Sequence, residues 1–301
     1  DGDMDIVSAS REDDKIAWYE NDGAANPSWA VTTIATSADN ATSVFVADMD
    51  MDGDMDIVST SEEDDAIAWY ENDGAADPSW TAADIATSAN GPHSVFVADM
   101  DNDGDMDIVS ASYSDDAIAW YENNTSTTFN PSFVSNNVTT SADGASSVFA
   151  IDLDLDGDID IISSSENDDK VTWYENNGSA DPTFTANTIT TSADGAWEVF
   201  GADMDNDGDI DLLSASHADN KIIFYKNNGA DDPAFTTSNI STQAYSTRAV
   251  YAADIDSDGD MDVLAGTGST DDEVVWYKNN GNANPTFAGI LIYNSDDSRS
   301  V

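Results

Sequence analysis

The nine residues "DMDMDGDMD", residues 48–56, place five aspartates at alternate positions around one glycine. The same pattern starts again at Asp99, Asp152, Asp203 and Asp254, at intervals of about 51 residues. The first five residues, "DGDMD", match the second half of the pattern, so the chain begins inside a sixth copy. An internal period of this length is typical of repeat architectures, in which each copy forms one structural unit.

Each copy predicts four short β-strands. Before and after the loop at 48–56, "SVFVAD" and "DIVSTS" alternate apolar with small or polar residues, which is the period of a strand. "AIAWYEND" and "TAADIATS" predict the third and fourth strands, separated by turn residues. Four strands in about 50 residues are typical of a β-propeller blade. We therefore predict an all-β fold, a single β-propeller domain over residues 1–301 with six repeats visible; a seven-bladed parent protein stays open as an alternative.

Composition limits the partners and supports a folded chain. The 301 residues carry a formal net charge of −53, from 61 acidic and 8 basic side chains, which argues against nucleic acid and anionic membranes as partners. Hydrophobic residues make up 40% of the chain, enough to bury a core, and no apolar run approaches membrane-spanning length. The chain has no cysteine, which fits a secreted protein stabilised by something other than disulfides and excludes no compartment. We expect no membrane insertion and a chain that is part of a longer secreted protein, with any export signal outside this sequence.

The crowded aspartates predict a metal ion in each loop. Five like charges within nine residues repel one another unless a cation lies among them. Carboxylates stand at loop positions 1, 3, 5 and 9, the glycine at position 6 permits a sharp turn, and position 7 would add a backbone carbonyl. Hard oxygen ligands without His or Cys favour Ca2+ over Mg2+ and the transition metals. The loop is not an EF-hand, because the glutamate at position 12 is absent and both flanks are predicted strands.

These residues resemble a known family. "VADMDMDGDMDIVS" and its four counterparts look like FG-GAP/VCBS repeats, the calcium-binding blades of integrin α-subunit propellers and of many secreted bacterial proteins. The resemblance covers all six copies and implies a β-propeller, at the cell surface or outside the cell, with Ca2+ in the hairpin between the first two strands of each blade. It specifies function only weakly, since such blades serve in adhesion, in glycan binding and as scaffolds of some polysaccharide lyases.

Carried over residue by residue, the resemblance assigns five ligands to each complete loop, the fourth through its backbone carbonyl. The assigned ligands are Asp48, Asp50, Asp52, Asp54 and Asp56; Asp99, Asp101, Asp103, Asp105 and Asp107; Asp152, Asp154, Asp156, Asp158 and Asp160; Asp203, Asp205, Asp207, Asp209 and Asp211; and Asp254, Asp256, Asp258, Asp260 and Asp262. The partial loop at residues 1–5 offers Asp1, Asp3 and Asp5, and we expect it to bind weakly or not at all as given.

Two positions differ from copy to copy while the scaffold repeats. The first reads Thr42, His93, Ser146, Trp197, Arg248 and Arg299, and the second reads Arg11, Glu62, Tyr113, Glu166, His217 and Gly268. Together they hold every arginine and both histidines of the chain, and we expect both on the face opposite the aspartate loops. The candidate ligand-binding residues are therefore Arg11, His93, Tyr113, Trp197, His217, Arg248 and Arg299. The simpler interpretation is that loop tips vary because they are the least constrained sites.

Three functions remain open. The first is an extracellular, calcium-stabilised binding or adhesion module that recognises a glycan, above all an acidic polysaccharide, or a protein through the variable face, with arginine holding carboxylate or sulfate. The second is a lyase on acidic polysaccharides, in which an arginine neutralises the uronate carboxylate and a histidine or Tyr113 moves the proton. The third is a purely structural segment of a larger surface protein. We assign no catalytic residue.

Overall fold

The computed structural model describes residues 2–75, 77–124, 131–268 and 273–294, so Asp1 and Arg299 lie outside the described residues. The described residues form strands and no helix, and none of them belongs to a helical segment that could cross a membrane. The strands are β1 (Ile6–Ser10), β2 (Lys15–Asn21), β3 (Trp29–Ala35), β4 (Ala41–Ala47), β5 (Asp56–Ser61), β6 (Ala66–Asn72), β7 (Trp80–Ala86), β8 (Pro92–Ala98), β9 (Asp107–Ser112), β10 (Ala117–Asn123), β11 (Phe133–Thr139), β12 (Ala145–Ile151), β13 (Asp160–Ser165), β14 (Lys170–Asn176), β15 (Phe184–Thr190), β16 (Ala196–Ala202), β17 (Asp211–Ser216), β18 (Lys221–Lys226), β19 (Thr236–Ser241), β20 (Ala249–Ala253), β21 (Asp262–Gly266), β22 (Glu273–Asn279) and β23 (Phe287–Asn294).

The strands pair in sequence order into antiparallel sheets. Within the described residues, β1–β3 form a three-stranded sheet, and β4–β7, β8–β11, β12–β15, β16–β19 and β20–β23 each form a four-stranded one. In the second sheet Ala47 pairs with Asp56 and Ile57 with Tyr70, so each strand runs back along its predecessor. This up-and-down order confirms the predicted blade and the predicted fold class, which is an all-β propeller.

Burial decreases from the second strand of a blade to the fourth. Every residue of β5 is buried, as is every residue of β9, whereas most of β7 is exposed. A strand buried on both faces explains why "DIVSTS" is apolar or small at each position after its aspartate. Trp120 and Trp173 on the third strands are almost fully buried, so their rings belong to the core.

The chain divides into two compact units, residues 1–141 and 142–301. Unit 1 contains β1–β11, and unit 2 contains β12–β23. Inside each unit the first strands of successive sheets adjoin: Thr42 donates a hydrogen bond from Oγ1 to the carbonyl oxygen of Pro92 at 3.0 Å, and Ser146 donates one from Oγ to that of Ala196 at 2.9 Å. These two variable positions therefore connect neighbouring sheets.

Candidate metal loops and the variable surface

Each aspartate loop is the hairpin between the first and second strands of a four-stranded sheet. In the loop at 48–56, Asp48 accepts backbone hydrogen bonds from Asp52 at 3.1 Å and Gly53 at 3.0 Å, which curls the chain around its carboxylates. Gly53 has φ 99°, and a Cβ there would meet nothing within 4 Å. The loop therefore requires glycine for its backbone conformation and not for space.

Three carboxylates converge in every complete loop. One oxygen from each lies within 4.8 Å of the others, a spacing at which a single ion could be held. The clusters are Asp48, Asp50 and Asp56; Asp99, Asp101 and Asp107; Asp152, Asp154 and Asp156; Asp203, Asp205 and Asp211; and Asp254, Asp256 and Asp262. Four clusters use loop positions 1, 3 and 9, and the third uses positions 1, 3 and 5.

The last aspartate of each loop also fastens the hairpin to the third strand. The side chain of Asp107 is fully buried; its Oδ1 accepts the backbone N–H of Asn123 at 2.7 Å and its Oδ2 that of Met100 at 3.0 Å. The same pair of bonds occurs in the other complete loops. In the partial loop, Asp5 accepts hydrogen bonds from the backbone of Asn21 and the indole of Trp18. The sequence pattern alone did not distinguish this role from ligation.

The loops hold carboxylates whose charged form is costly without a cation. Burial raises the pKa of Asp56 to about 6 and the pKa values of Asp107, Asp160 and Asp211 to about 7, although their backbone hydrogen bonds favour the ionised form. Burial is also the first cause of the raised pKa of Asp50, where the like charges of neighbouring carboxylates add to it. A cation among these oxygens would remove both penalties.

Unpaired oxygens show that the loops fit a metal ion. Asp50 Oδ2, Asp152 Oδ1 and Asp205 Oδ1 are buried and accept no hydrogen bond from any described residue. Buried carboxylate oxygens without a donor are rare unless an ion binds them. The position-5 aspartates, such as Asp52, are exposed and accept the backbone N–H of position 7. At position 7, Asp54 has its carboxylate against Gly74, where an added Cβ would clash with it.

In unit 2, four residues from the variable positions form a continuous series of side-chain contacts. His217 Nε2 lies 2.6 Å from Glu166 Oε1, the His217 ring meets that of Trp197 edge-on at 5.5 Å, and the guanidinium of Arg248 lies 4.0 Å from the centre of the Trp197 ring. We call Glu166, Trp197, His217 and Arg248 the Arg–Trp–His cluster. His217 follows the last residue of β17, whereas the aspartate loop precedes the first, so the cluster lies at the strand end opposite that loop, as predicted.

In unit 1 the variable positions form two smaller groups. Arg11 donates a hydrogen bond to Asn40 Oδ1 at 2.7 Å and pairs with Glu62, and the rings of His93 and Tyr113 lie 6.4 Å apart. Sequence reasoning missed the acidic partners: Glu62 and Glu166 occupy the same variable position as Arg11 and His217, one repeat away. The available signal was that residues of opposite charge or matching polarity stand at equivalent positions of neighbouring repeats, where their side chains can meet.

The fold and the loops define a class: a β-propeller whose blades each carry one acidic hairpin loop. Comparison with known families agrees, since the model of a family described as FG-GAP-like repeat matches residues 1–59, 48–110, 99–163, 152–214 and 203–265. The chain belongs to this FG-GAP-like repeat family. A search of curated proteins found no match.

Solved structures share the fold at low sequence identity. The chain is similar to virginiamycin B lyase from Staphylococcus aureus, with a TM-score of 0.66 and 11% identity over 98% of this chain and 83% of that one. A structure described as a putative 6-phosphogluconolactonase from Bacteroides uniformis gives a TM-score of 0.65 at 12% identity, covering 98% and 83%. The periplasmic gluconolactonase of Pseudomonas aeruginosa gives 0.64 at 14%, covering 95% and 82%. At such identities the likeness concerns the fold alone.

Proposed function

We propose that this chain is an extracellular, calcium-stabilised binding module that recognises an acidic polysaccharide through the Arg–Trp–His cluster. The observation that carries the proposal is the convergence of Trp197 with His217 and Arg248, which belong to two of the rarest residue types of the chain, at the strand ends opposite the aspartate loops. Scaffold positions repeat from copy to copy, and these do not.

Calcium is the ion that the loop chemistry favours. The three converging groups in each loop are carboxylates, which are hard oxygen donors. Ca2+ accepts six to eight oxygens in flexible geometry, whereas Mg2+ requires a near-ideal octahedron and retains its water. Extracellular modules of this kind bind calcium at about 10⁻⁴ to 10⁻³ M, which supports a location outside the cell.

The cluster has the chemistry to hold a charged sugar. A guanidinium stacked on an indole keeps its N–H donors in a plane, ready for the two oxygens of a carboxylate or a sulfate. Trp197 and His217 are both half-buried, and the exposed part of their rings adds aromatic surface for sugar rings. On a chain with a net charge of −53, the guanidinium of Arg248 offers an acidic polymer a positive charge, while the carboxylate of the cluster, Glu166, is held by His217.

Binding of polygalacturonate and of heparin, measured by calorimetry with calcium present, tests the proposal. We expect one of these polymers to bind and Arg248→Gln to weaken that binding by at least about tenfold, the effect of losing one bidentate charge-assisted contact. Lys15→Gln, which removes the same charge from unit 1, is the matched control and should bind as wild type does. Equal binding by both variants would exclude the cluster.

The same incubation separates the other functions. Ultraviolet absorbance of an unsaturated sugar product would show that the protein is a lyase and not a binding module. Failure to bind either polymer, with a native circular dichroism spectrum, would contradict the proposed recognition and favour a structural segment.

A further inference from the structure

One position beside the aspartate loops carries a negative side chain in some sheets and a positive one in others. The third strand of each sheet carries a tyrosine, and the residue after it is Glu71 in β6, Glu122 in β10 and Glu175 in β14. In the last two sheets it is Lys226 in β18 and Lys278 in β22. The register places all five at the same site, since the preceding tyrosine pairs in each case with the residue that follows the loop's last aspartate.

Both lysines insert their ammonium groups among the aspartates. Lys226 Nζ pairs with Asp205, lies 3.2 Å from Asp207 Oδ2 and donates a hydrogen bond to the carbonyl oxygen of Ala283 at 2.8 Å.

Lys278 repeats this arrangement in the next loop. Its Nζ pairs with Asp256 and lies 3.0 Å from Asp258 Oδ2. In both loops the lysine therefore binds the aspartates at positions 3 and 5, which are among the assigned metal ligands.

The glutamates make their loops more negative, whereas the lysines make theirs less so. Glu71, Glu122 and Glu175 occupy the register position from which the two lysines reach their loops. Each glutamate therefore adds a negative charge beside its loop. Exchange of glutamate for lysine changes the local charge by two units.

We propose that the loops fall into two classes. The glutamate loops, at 48–56, 99–107 and 152–160, bind Ca2+ tightly. In the lysine loops, at 203–211 and 254–262, the ammonium group already neutralises part of the carboxylate charge. These loops therefore bind Ca2+ at least about tenfold more weakly. The reason is that an incoming ion must displace the lysine or accept its repulsion, and that calcium affinity follows the charge count of the ligands. The inference rests on the proposed role of calcium.

The division has a consequence for the recognition site. Unit 2 contains both lysine loops together with the Arg–Trp–His cluster. Two of its three hairpins are therefore charge-compensated by the protein itself, whereas the third, at 152–160, is a glutamate loop like those of unit 1.

Counting bound ions tests the proposal. Calorimetric titration and native mass spectrometry at limiting calcium should give a tight class that grows by two ions in the double variant Lys226→Glu/Lys278→Glu. The control Lys170→Glu/Lys221→Glu makes the same charge change at lysines that pair with Asp168 and Asp219, outside the aspartate loops, and should leave the count unchanged. Any ion in the partial loop adds equally to all variants.

The reverse exchange guards against misfolding of the double variant. Glu122→Lys should remove one ion from the tight class, with an unchanged circular dichroism spectrum. Five loops of equal affinity in the wild type, unaltered by these exchanges, would overturn the two classes and leave the calcium proposal standing. Absence of calcium uptake would overturn both.

Discussion

Asp107→Ala tests whether the last aspartate of a loop stabilises the hairpin independently of metal. The substitution leaves two buried backbone N–H groups, those of Asn123 and Met100, without their acceptors. Each such group costs about 1–3 kcal/mol. Removal of a carboxyl whose pKa burial raises to about 7 offsets part of this cost, and the offset grows as pH rises, so at pH 6 we expect a net loss of up to about 3 kcal/mol of unfolding free energy.

Guanidinium unfolding in excess EGTA and in excess calcium separates this effect from ligation. Asp103→Ala is the matched control in the same loop, because Asp103 is exposed and its carboxylate accepts the backbone N–H of Asp105 at 3.1 Å. In EGTA the control should lie within about 0.5 kcal/mol of wild type, as exposed substitutions do. In calcium it should lose the stabilisation by its ion, about 2.7 kcal/mol if calcium is at 100 times the dissociation constant.

The comparison in EGTA decides the outcome. If Asp107→Ala were no less stable than Asp103→Ala without metal, the two buried hydrogen bonds would contribute nothing, and the last aspartate would act only as a ligand.

Three further outcomes follow from the structure. Excess EGTA should lower the melting temperature of the wild type markedly, because the ions bind the native state alone; an unchanged melting curve would contradict calcium stabilisation. Gly104→Ala should cost about 1–3 kcal/mol in guanidinium unfolding, because alanine tolerates φ 99° poorly although nothing lies within 4 Å of its Cβ; a neutral result would contradict the backbone requirement. Burial raises the pKa of Glu198 from 4.5 to about 7, so the wild type loses up to about 3 kcal/mol of unfolding free energy as pH rises from about 4.5 to 7. Melting curves should therefore show Glu198→Gln to be more stable than wild type at pH 8, with an advantage that vanishes near pH 4. A difference in stability that does not depend on pH would refute this.

The sequence predicted the blades because the aspartate pattern and its flanking strands recur about every 51 residues. Every complete loop is followed by a short run of apolar and small residues, and the structure places it as the second strand of a four-stranded sheet, where β5 and β9 are buried at every position. The turn residues after the third strand set the next hairpin. These are local patterns, and local patterns determine strand order in an up-and-down sheet.

The roles within a loop were harder to predict, because the sequence alone does not distinguish five aspartates from one another. The task of Asp107 depends on its register with Asn123, and only the paired strands reveal it. An asparagine recurs at that place in every repeat, as Asn72 and Asn176 show, which was the available signal. The exchange of glutamate for lysine at Lys226 was also visible in the sequence, but its meaning depends on the approach of the ammonium to Asp205.

The variable positions were predicted as a set, but their contacts were not. The sequence grouped Trp197, His217 and Arg248 because they stand at the two variable positions, and it could not show that His217 pairs with Glu166 or that Arg248 covers one face of Trp197. Such contacts depend on how neighbouring sheets adjoin, which a period does not specify.

An anomalous difference map from crystals grown with calcium tests the central claim most directly. The account predicts a peak in each glutamate loop, about 2.3–2.6 Å from carboxylate oxygens at loop positions 1 and 3, such as those of Asp48 and Asp50. Well-ordered glutamate loops without such peaks would contradict it.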